Sequence, residues 1–286
     1  MKRPLVWITG AGGLIGSYFV RTAPQFAPEW QARGLTRADL DLLDFDAVRR
    51  LFRKESPQLL IHCAALAHTP SCEKNPELAR KLNVDVTAVL AELAAAAEVP
   101  LVFFSTDLVF DGRTGNFDES APVNPLNVYA KTKLEAERIL LANPRHLVLR
   151  SALNGGTSPT RDRGFNEHLR RQFQRGETLK LFIDEFRCPI PAVVTAQAVW
   201  ELVAQNRAGL FHLTGSERLS RWQMGRLIAA RWPQLNPKIE RETVKNYSGT
   251  PRPADVSLNC AKVQKHLSFR LPGLSEWLAA HPEEIF

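Results

Sequence analysis

The chain has 286 residues, 44% of them hydrophobic and 23% charged, and a formal net charge of +7. That balance describes a soluble globular protein of one large domain, or a domain with a smaller lobe, and excludes a disordered or fibrous chain. Excess Lys and Arg suits an anionic small ligand; the absence of a basic run with interleaved aromatic residues argues against nucleic acid as a partner.

Leu5 to Thr9 is a short β-rich apolar run. It passes into Gly10-Ala11-Gly12-Gly13-Leu14-Ile15-Gly16 and then a helical pattern through Val20. Strand, tight glycine turn and helix start form the phosphate-binding opening of a dinucleotide fold, where exposed N–H groups and the helix dipole meet a pyrophosphate. The spacing is G-x-x-G-x-x-G, and a purely structural turn is the competing reading. The basic, apolar start also mimics a signal peptide, but the run is too short and the glycines have this better use.

Gln31 to Thr36 is a candidate second strand. Where such a strand ends, an acid suits a free ribose 2′-hydroxyl and an arginine a 2′-phosphate. Here Thr36 and Arg37 come first and no acid occurs until Asp39. The pattern favours NADP(H) and leaves NAD(H) open, with a solvated Arg37 as the alternative. Asp44-Phe45 precedes a helix expected over 46–53, so Asp44 either faces an adenine, with Phe45 covering the ring, or only caps the helix. Leu59 to Ala65 is a buried strand ending in Cys63, Ala64 and Ala65, small enough for a flat ligand to approach; His62 inside it reads as a satisfied core histidine. A long helix is expected from Asn75-Pro76 to about Glu98, with Asn83 needing buried partners.

The richest stretch runs from Phe103 to Glu137. An apolar strand, Leu101 to Phe104, ends in Ser105, Thr106 and Asp107. A Gly/Asn/Pro-rich excursion follows, then a helix expected to have Asn124 as N-cap and Pro125 as first residue. Tyr129 would sit in its second turn with Lys133 on the same face. An ammonium beside a phenol favours the phenolate, so the pair suits proton exchange with a ketone or alcohol, and the hydroxyls of Ser105 and Thr106 fit the same oxygen. Lys133 pairing with Glu137 is the plain alternative.

With Leu147 to Ser151, strand and helix alternate five or six times in the first 150 residues. That is the signature of an α/β protein with a Rossmann-type, doubly wound parallel sheet, whose ligands bind at the strands' carboxyl ends. Residues 1–152 are expected to form this domain, with the chain returning to it later, and 153–286 mainly a small C-terminal substrate-binding lobe. The lobe's helix near 165–175 is basic, with Arg161, Arg163, Arg170 and Arg171 around it. Further elements are expected at 179–183, 197–205, 210–213, 221–232 and 274–280. Cys63, Cys72, Cys188 and Cys260 show no ligand spacing, so a reduced, metal-free, cytoplasmic protein is expected. No stretch approaches the ~20 apolar residues of a membrane span.

Thr9 to Gly16, Ser105-Thr106-Asp107, Val109-Phe110-Asp111-Gly112 and Tyr129-x-x-x-Lys133 together resemble the extended short-chain dehydrogenase/reductase superfamily. Within it, the pattern looks most like the dTDP-4-dehydrorhamnose reductase family, which Asp184 to Pro189 and Arg252 to Asn259 also resemble. The resemblance implies an NAD(P)H-dependent oxidoreductase acting on the C4 ketone of a nucleotide-linked sugar. It assigns the acid to Tyr129, its lysine to Lys133, the strand-end hydroxyl to Thr106 and adenine binding to Asp44 and Phe45. Beside it, Ser105, Cys63, Ala64 and Ala65 are read as facing the cofactor and Asp107 and Leu108 as facing the substrate. A sugar diphosphate needs cations from the lobe, so Arg187 and Arg252 are expected to line the cleft and most of the helix arginines to be solvated. Leu108 and Leu153 stand where that family usually carries aromatic residues, so a roomier, less polar sugar pocket is expected. A homodimer is left open. His62 to Ala65, Asn83-Val84-Asp85 and Pro125-Leu126-Asn127 also resemble the regulatory β subunit of methionine adenosyltransferase, a non-catalytic NADP-binding alternative.

Overall fold

In the computed structural model, residues 3–283 and 286 are described. Five parallel strands open the chain, four of them apolar runs and β2 a half-exposed edge: β1 (Leu5–Thr9), β2 (Gln31–Leu35), β3 (Leu59–His62), β4 (Leu101–Thr106) and β5 (Leu147–Ser151). A later strand, Gly209–Leu213, joins β5, giving the order Gly209–Leu213, β5, β4, β3, β1, β2. From β1 the chain goes outward to β2 and returns to β3 on the other side. The carboxyl ends of β1 and β3 are therefore the switch point, where such sheets open a ligand crevice.

Strand residues alternate between two cores, as a two-residue repeat requires. Val6, Ile8, Ile61, Val102, Phe104 and Leu149 face one way, under α1 (Leu14–Phe26) and the helix Ala192–Ala204. Trp7, Leu60, Phe103 and Val148 face the other, under α2 (Phe45–Glu55) and the helices Val86–Ala96 and Val128–Leu141. Both faces are covered, which is why the strands read as continuous apolar runs.

Two expected helices near the crevice differ, and later in the chain the helix expected at 197–205 starts at Ala192 and that expected at 221–232 ends at Ala229. The long helix after Asn75 is cut into Pro76–Arg80, a π-type turn Lys81–Asp85 and Val86–Ala96. The helix bearing Tyr129 does not begin at Asn124-Pro125. Asn127 is its N-cap, accepting from Ala130 N at 2.9 Å, and Val128 is its first residue. Either asparagine is a good cap by type; Asn127 is the one whose side chain reaches a free helical N–H. Tyr129 is thus in the first turn, with Lys133 still four residues on.

Beyond β5 the chain builds the lobe from the helix Phe165–Gln174, the parallel pair Thr178–Phe182 with Lys238–Glu242, and a short ribbon of Phe186–Arg187 with Leu219–Ser220. Its core is Leu169, Phe173, Met224, Ile228 and Trp232, joined by Leu274 and Leu278. The helix Ala192–Ala204 and the strand Gly209–Leu213 return to the sheet.

Candidate active site

At the end of β1 the backbone must turn within one residue. Gly10 takes φ +69°, and a Cβ there would lie 2.7 Å from the Ala64 nitrogen, so β1 and the Cys63-Ala64-Ala65 segment approach as only glycine permits. Gly13 N then donates to Gly10 O at 2.8 Å, and α1 starts at Leu14. This helix has no side-chain cap and no acid in its first turn. A thirteen-residue helix thus offers unneutralised N–H groups at Leu14, Ile15 and Gly16 to the crevice. A Cβ on Gly12 would meet only Thr36 Cγ2, at 3.9 Å, leaving its outer side open to a ligand.

Arg37 lies beyond β2 with an exposed side chain, 3.8 Å from Asp41. Asp39, also exposed, is engaged locally instead, accepting from the Thr36 N–H at 2.9 Å and the Thr36 hydroxyl at 2.5 Å. Its carboxyl is held below the usual range mainly by the Thr36 hydroxyl. Arg37 is therefore the charged group at this strand end with an extended, reachable side chain. Asp44 caps α2, accepting from Ala47 N at 2.9 Å, and Phe45 packs against the second core. The capping role is thus seen directly, while one Asp44 oxygen stays outward.

β4 delivers Thr106 to the crevice, and the helix Val128–Leu141 lays Tyr129, Lys133 and Glu137 along one face against it. Lys133 is 2% exposed, with Nζ 3.8 Å from the centre of the Phe103 ring. Among the described residues it has no hydrogen-bond or ion-pair partner, and burial pulls it down to about 7. The alternative pairing with Glu137 is not formed, because Arg150 holds Glu137 from β5, Nη2 to Oε2 2.8 Å. Ser105 points to that same buried side and donates to Glu137. Its hydroxyl is thus engaged away from the crevice: neighbouring strand residues face opposite ways, and Thr106 is the hydroxyl on the crevice side.

Tyr129 stands beside Thr106 and Asp107. Burial raises its phenol above the ordinary value, the Asp107 carboxylate raises it further, and the Thr106 hydroxyl opposes both. The expectation that Lys133 lowers the phenol is not met: the charges that act on it are Asp107, the larger effect, and Arg187.

Asp107 and Arg187, both expected at the substrate, bind each other. Arg187 makes a two-pronged buried pair with Asp107, Nε to Oδ2 2.5 Å and a second bond from Nη2. Arg252 donates to Glu185, Nη2 to Oε1 3.0 Å, and Arg221, which no sequence motif marks, also donates to Glu185 at 2.8 Å. Three arginines thus face two carboxylates, leaving one positive charge in surplus. Burial alone would raise Glu185, but Arg221 and Arg252 outweigh it and hold Glu185 at about 2, below the usual 4.5. Its contribution to stability is therefore present above pH 4.5 and lost as pH falls toward 2. Glu185→Gln is expected to destabilise at neutral pH, with its denaturation midpoint converging on that of the unmodified chain across that window; a constant difference would show that the ion pairs do not act this way.

Leu108 packs with Val109 and Phe110, and Leu153 against the lobe core. Both leucines are committed to apolar clusters. Of the arginines expected to be solvated, Arg161 and Arg163 are exposed, whereas Arg170 packs over Trp232 at 5.6 Å.

The RmlD substrate binding domain family matches residues 4–284. The chain belongs to this family. A methionine adenosyltransferase 2 subunit beta from Danio rerio is 31% identical over 277 residues, covering 91% of this chain and 84% of that protein. A probable low-salt glycan biosynthesis reductase, Agl14, from Haloferax volcanii is 29% identical, covering 96% of each. Among solved structures, a dTDP-4-dehydrorhamnose reductase from Clostridium acetobutylicum superposes with a TM-score of 0.87 at 26% identity, over 98% of both chains.

Within this RmlD-type fold, a bracing network emerges that the sequence showed only in part. Asn83, in the π-type turn, accepts from Leu66 N at 2.8 Å and donates to the Thr132 hydroxyl at 3.0 Å, while Thr132 donates to Tyr129 O at 2.7 Å. The loop after β3 and the turn carrying Tyr129 are thus tied through one amide. His62 is satisfied on both nitrogens, by Thr9 at 2.7 Å and Thr87 at 3.1 Å, and burial holds it neutral, down to about 3. Asn83 was visible as a polar break in an apolar helix; its partners and the widened turn were not, because both depend on contacts between distant segments. Among the described residues no cluster of metal-ligating side chains occurs, and no helix is long and apolar enough to cross a membrane.

Proposed function

We propose that this chain is an NAD(P)H-dependent reductase of a 4-keto nucleotide-sugar, of the dTDP-4-dehydrorhamnose reductase kind. The observation that carries this reading is the convergence of Thr106, Tyr129 and Lys133 at the end of β4, beside a glycine turn with an unneutralised helix start.

The residues fit a dinucleotide. Gly10 to Gly16 offer backbone N–H groups to a pyrophosphate, Cys63 to Ala65 give a close, small-residue wall, and Arg37 is placed for a 2′-phosphate. Lys133, a buried ammonium with no protein partner among the described residues, suits ribose hydroxyls. A reduced nicotinamide, when bound, supplies the hydride. Tyr129 donates its phenolic proton to the carbonyl oxygen, and Thr106 hydrogen-bonds that oxygen. The ketone thereby becomes an alcohol, with the negative charge left on Tyr129. The surplus positive charge around Glu185 lies on the lobe side, where a sugar diphosphate would enter.

The test is a screen of 4-keto sugar nucleotides, followed by loss of reduced-nicotinamide absorbance. Turnover with dTDP-4-dehydrorhamnose or a close analogue supports the reading. The relatives named methionine adenosyltransferase 2 subunit beta favour a second one, a cofactor-binding partner subunit. It requires no turnover with any candidate and a complex with a methionine adenosyltransferase.

Cofactor choice is tested apart from turnover. Arg37→Ala is expected to weaken NADPH binding about tenfold or more while leaving NADH nearly unchanged, as loss of one charge-assisted phosphate contact predicts. Calorimetric titration of both reads this directly, and equal losses for both cofactors would remove Arg37 from the 2′-phosphate.

A further inference from the structure

Arg187 and Asp107 satisfy each other so completely that neither is free as a substrate ligand. Their side chains are 6% and 0% exposed, and both Asp107 oxygens are taken by the guanidinium fork. Asp107 also accepts from the Thr106 hydroxyl, Oγ1 to Oδ1 3.2 Å, and Thr106 in turn accepts from Leu108 N at 3.2 Å. The pair thus joins the lobe ribbon to the end of β4 and ends on a hydroxyl assigned to the reacting oxygen.

Resting on the reductase reading, we propose that Asp107 and Arg187 are positioning residues for proton transfer rather than substrate ligands: Asp107 orients the Thr106 hydroxyl, and Arg187 neutralises Asp107 beside Tyr129.

Two effects act together here. In the free site the Thr106 hydroxyl lies within hydrogen-bond reach of Asp107, so a carbonyl oxygen must compete with a carboxylate for its proton. A guanidinium saturating both carboxylate oxygens weakens that competitor. Second, Tyr129 becomes an anion as it gives up its proton. A bare Asp107 carboxylate nearby would oppose that change, whereas a paired one opposes it far less. The charged or titratable groups facing the Tyr129 phenol are Asp107 at the strand end, Arg187 on the ribbon and Cys72 on the helix Thr69–Lys74. Burial raises the Asp107 carboxyl, and Arg187, Thr106 and Arg221 pull it back down. Of these, Arg187 is the cation bonded to Asp107. The lobe would then tune the acid without touching the sugar.

Arg187→Gln is expected to lower kcat about tenfold or more with little change in KM, the pattern of an interaction felt in the transition state. Adding Asp107→Asn should restore part of that kcat, because both charges then leave together. The double variant also keeps the test readable where Arg187→Gln alone fails to fold. A rise in KM at unchanged kcat, without rescue in the double variant, would make Arg187 a substrate ligand and overturn the proposal. A second readout needs no substrate. Asp107→Asn leaves the Arg187 guanidinium unpaired beside Tyr129, so it should develop its tyrosinate absorbance at lower pH than the unmodified chain, a change missing from Asp107→Asn/Tyr129→Phe. An unmoved onset overturns the proposal whatever the turnover. Absence of turnover in the unmodified chain overturns the reductase reading and leaves the tyrosinate result to decide on the pair.

Discussion

Tyr129→Phe is expected to lose turnover by a factor on the order of 10² to 10⁴, the range that a positioned proton donor contributes. Cofactor binding should change little, because the phenol ring keeps its place and only the hydroxyl is lost. Burial and the Asp107 carboxylate both raise the phenol. Tyr129 therefore stays protonated through neutral pH, so it begins the reduction with the proton it must give. With NADPH saturating, so that Lys133 is engaged, rates measured in the reducing direction should hold level across neutral pH and fall only in alkali, as the phenol titrates. In Tyr129→Phe that alkaline limb should vanish along with most of the rate. Turnover in Tyr129→Phe near that of the unmodified chain, with the limb intact, would move the proton transfer to another group.

How much of this was legible in the sequence depends on the range of the interaction concerned. The parallel sheet could be read because β1, β3, β4 and β5 are short apolar runs with helix signals between them, while the edge strand β2, QARGL, gives only a faint one. Gly10 to Gly16 could be read because turn, close approach and helix start follow within seven residues. The Tyr129-Lys133 spacing survived an error in the helix start, since Asn124 and Asn127 are equally good caps by type and only the fold selects one. The ion pairs could not be read. Arg187 finds Asp107 across 80 residues, and Glu185 finds Arg221 and Arg252 across 36 and 67. No local pattern announces such partners, so arginines that looked free for an anion were already engaged. The Ser105 bond was hidden for a related reason: a hydroxyl at a strand end looks like its neighbour, but the pleat sends it to Glu137 and the inner side.

Lys133, by contrast with those engaged arginines, is a cost to the cofactor-free protein. Its side chain is buried, its nearest identified neighbour is an aromatic face, and its ordinary value of 10.5 is pulled down to about 7. The folded state therefore binds the lysine proton less tightly than the unfolded chain does. The penalty is full below about pH 7, shrinks as pH rises, and vanishes near 10.5. Lys133→Met keeps the apolar stem and removes the charge. At neutral pH it is expected to stabilise the cofactor-free protein by a few kcal/mol, since each tenfold weakening of proton binding costs about 1.4 kcal/mol. The gain should fade in alkali. The same substitution should abolish turnover and weaken cofactor binding, since a thioether cannot hydrogen-bond ribose hydroxyls. Denaturant unfolding of both proteins at pH 7 and near pH 10.5, with and without NADPH, checks all of this. If Lys133→Met were less stable than the unmodified chain at pH 7 without cofactor, the ammonium would have a partner in the free protein, and its assignment to the ribose would lose its physical basis.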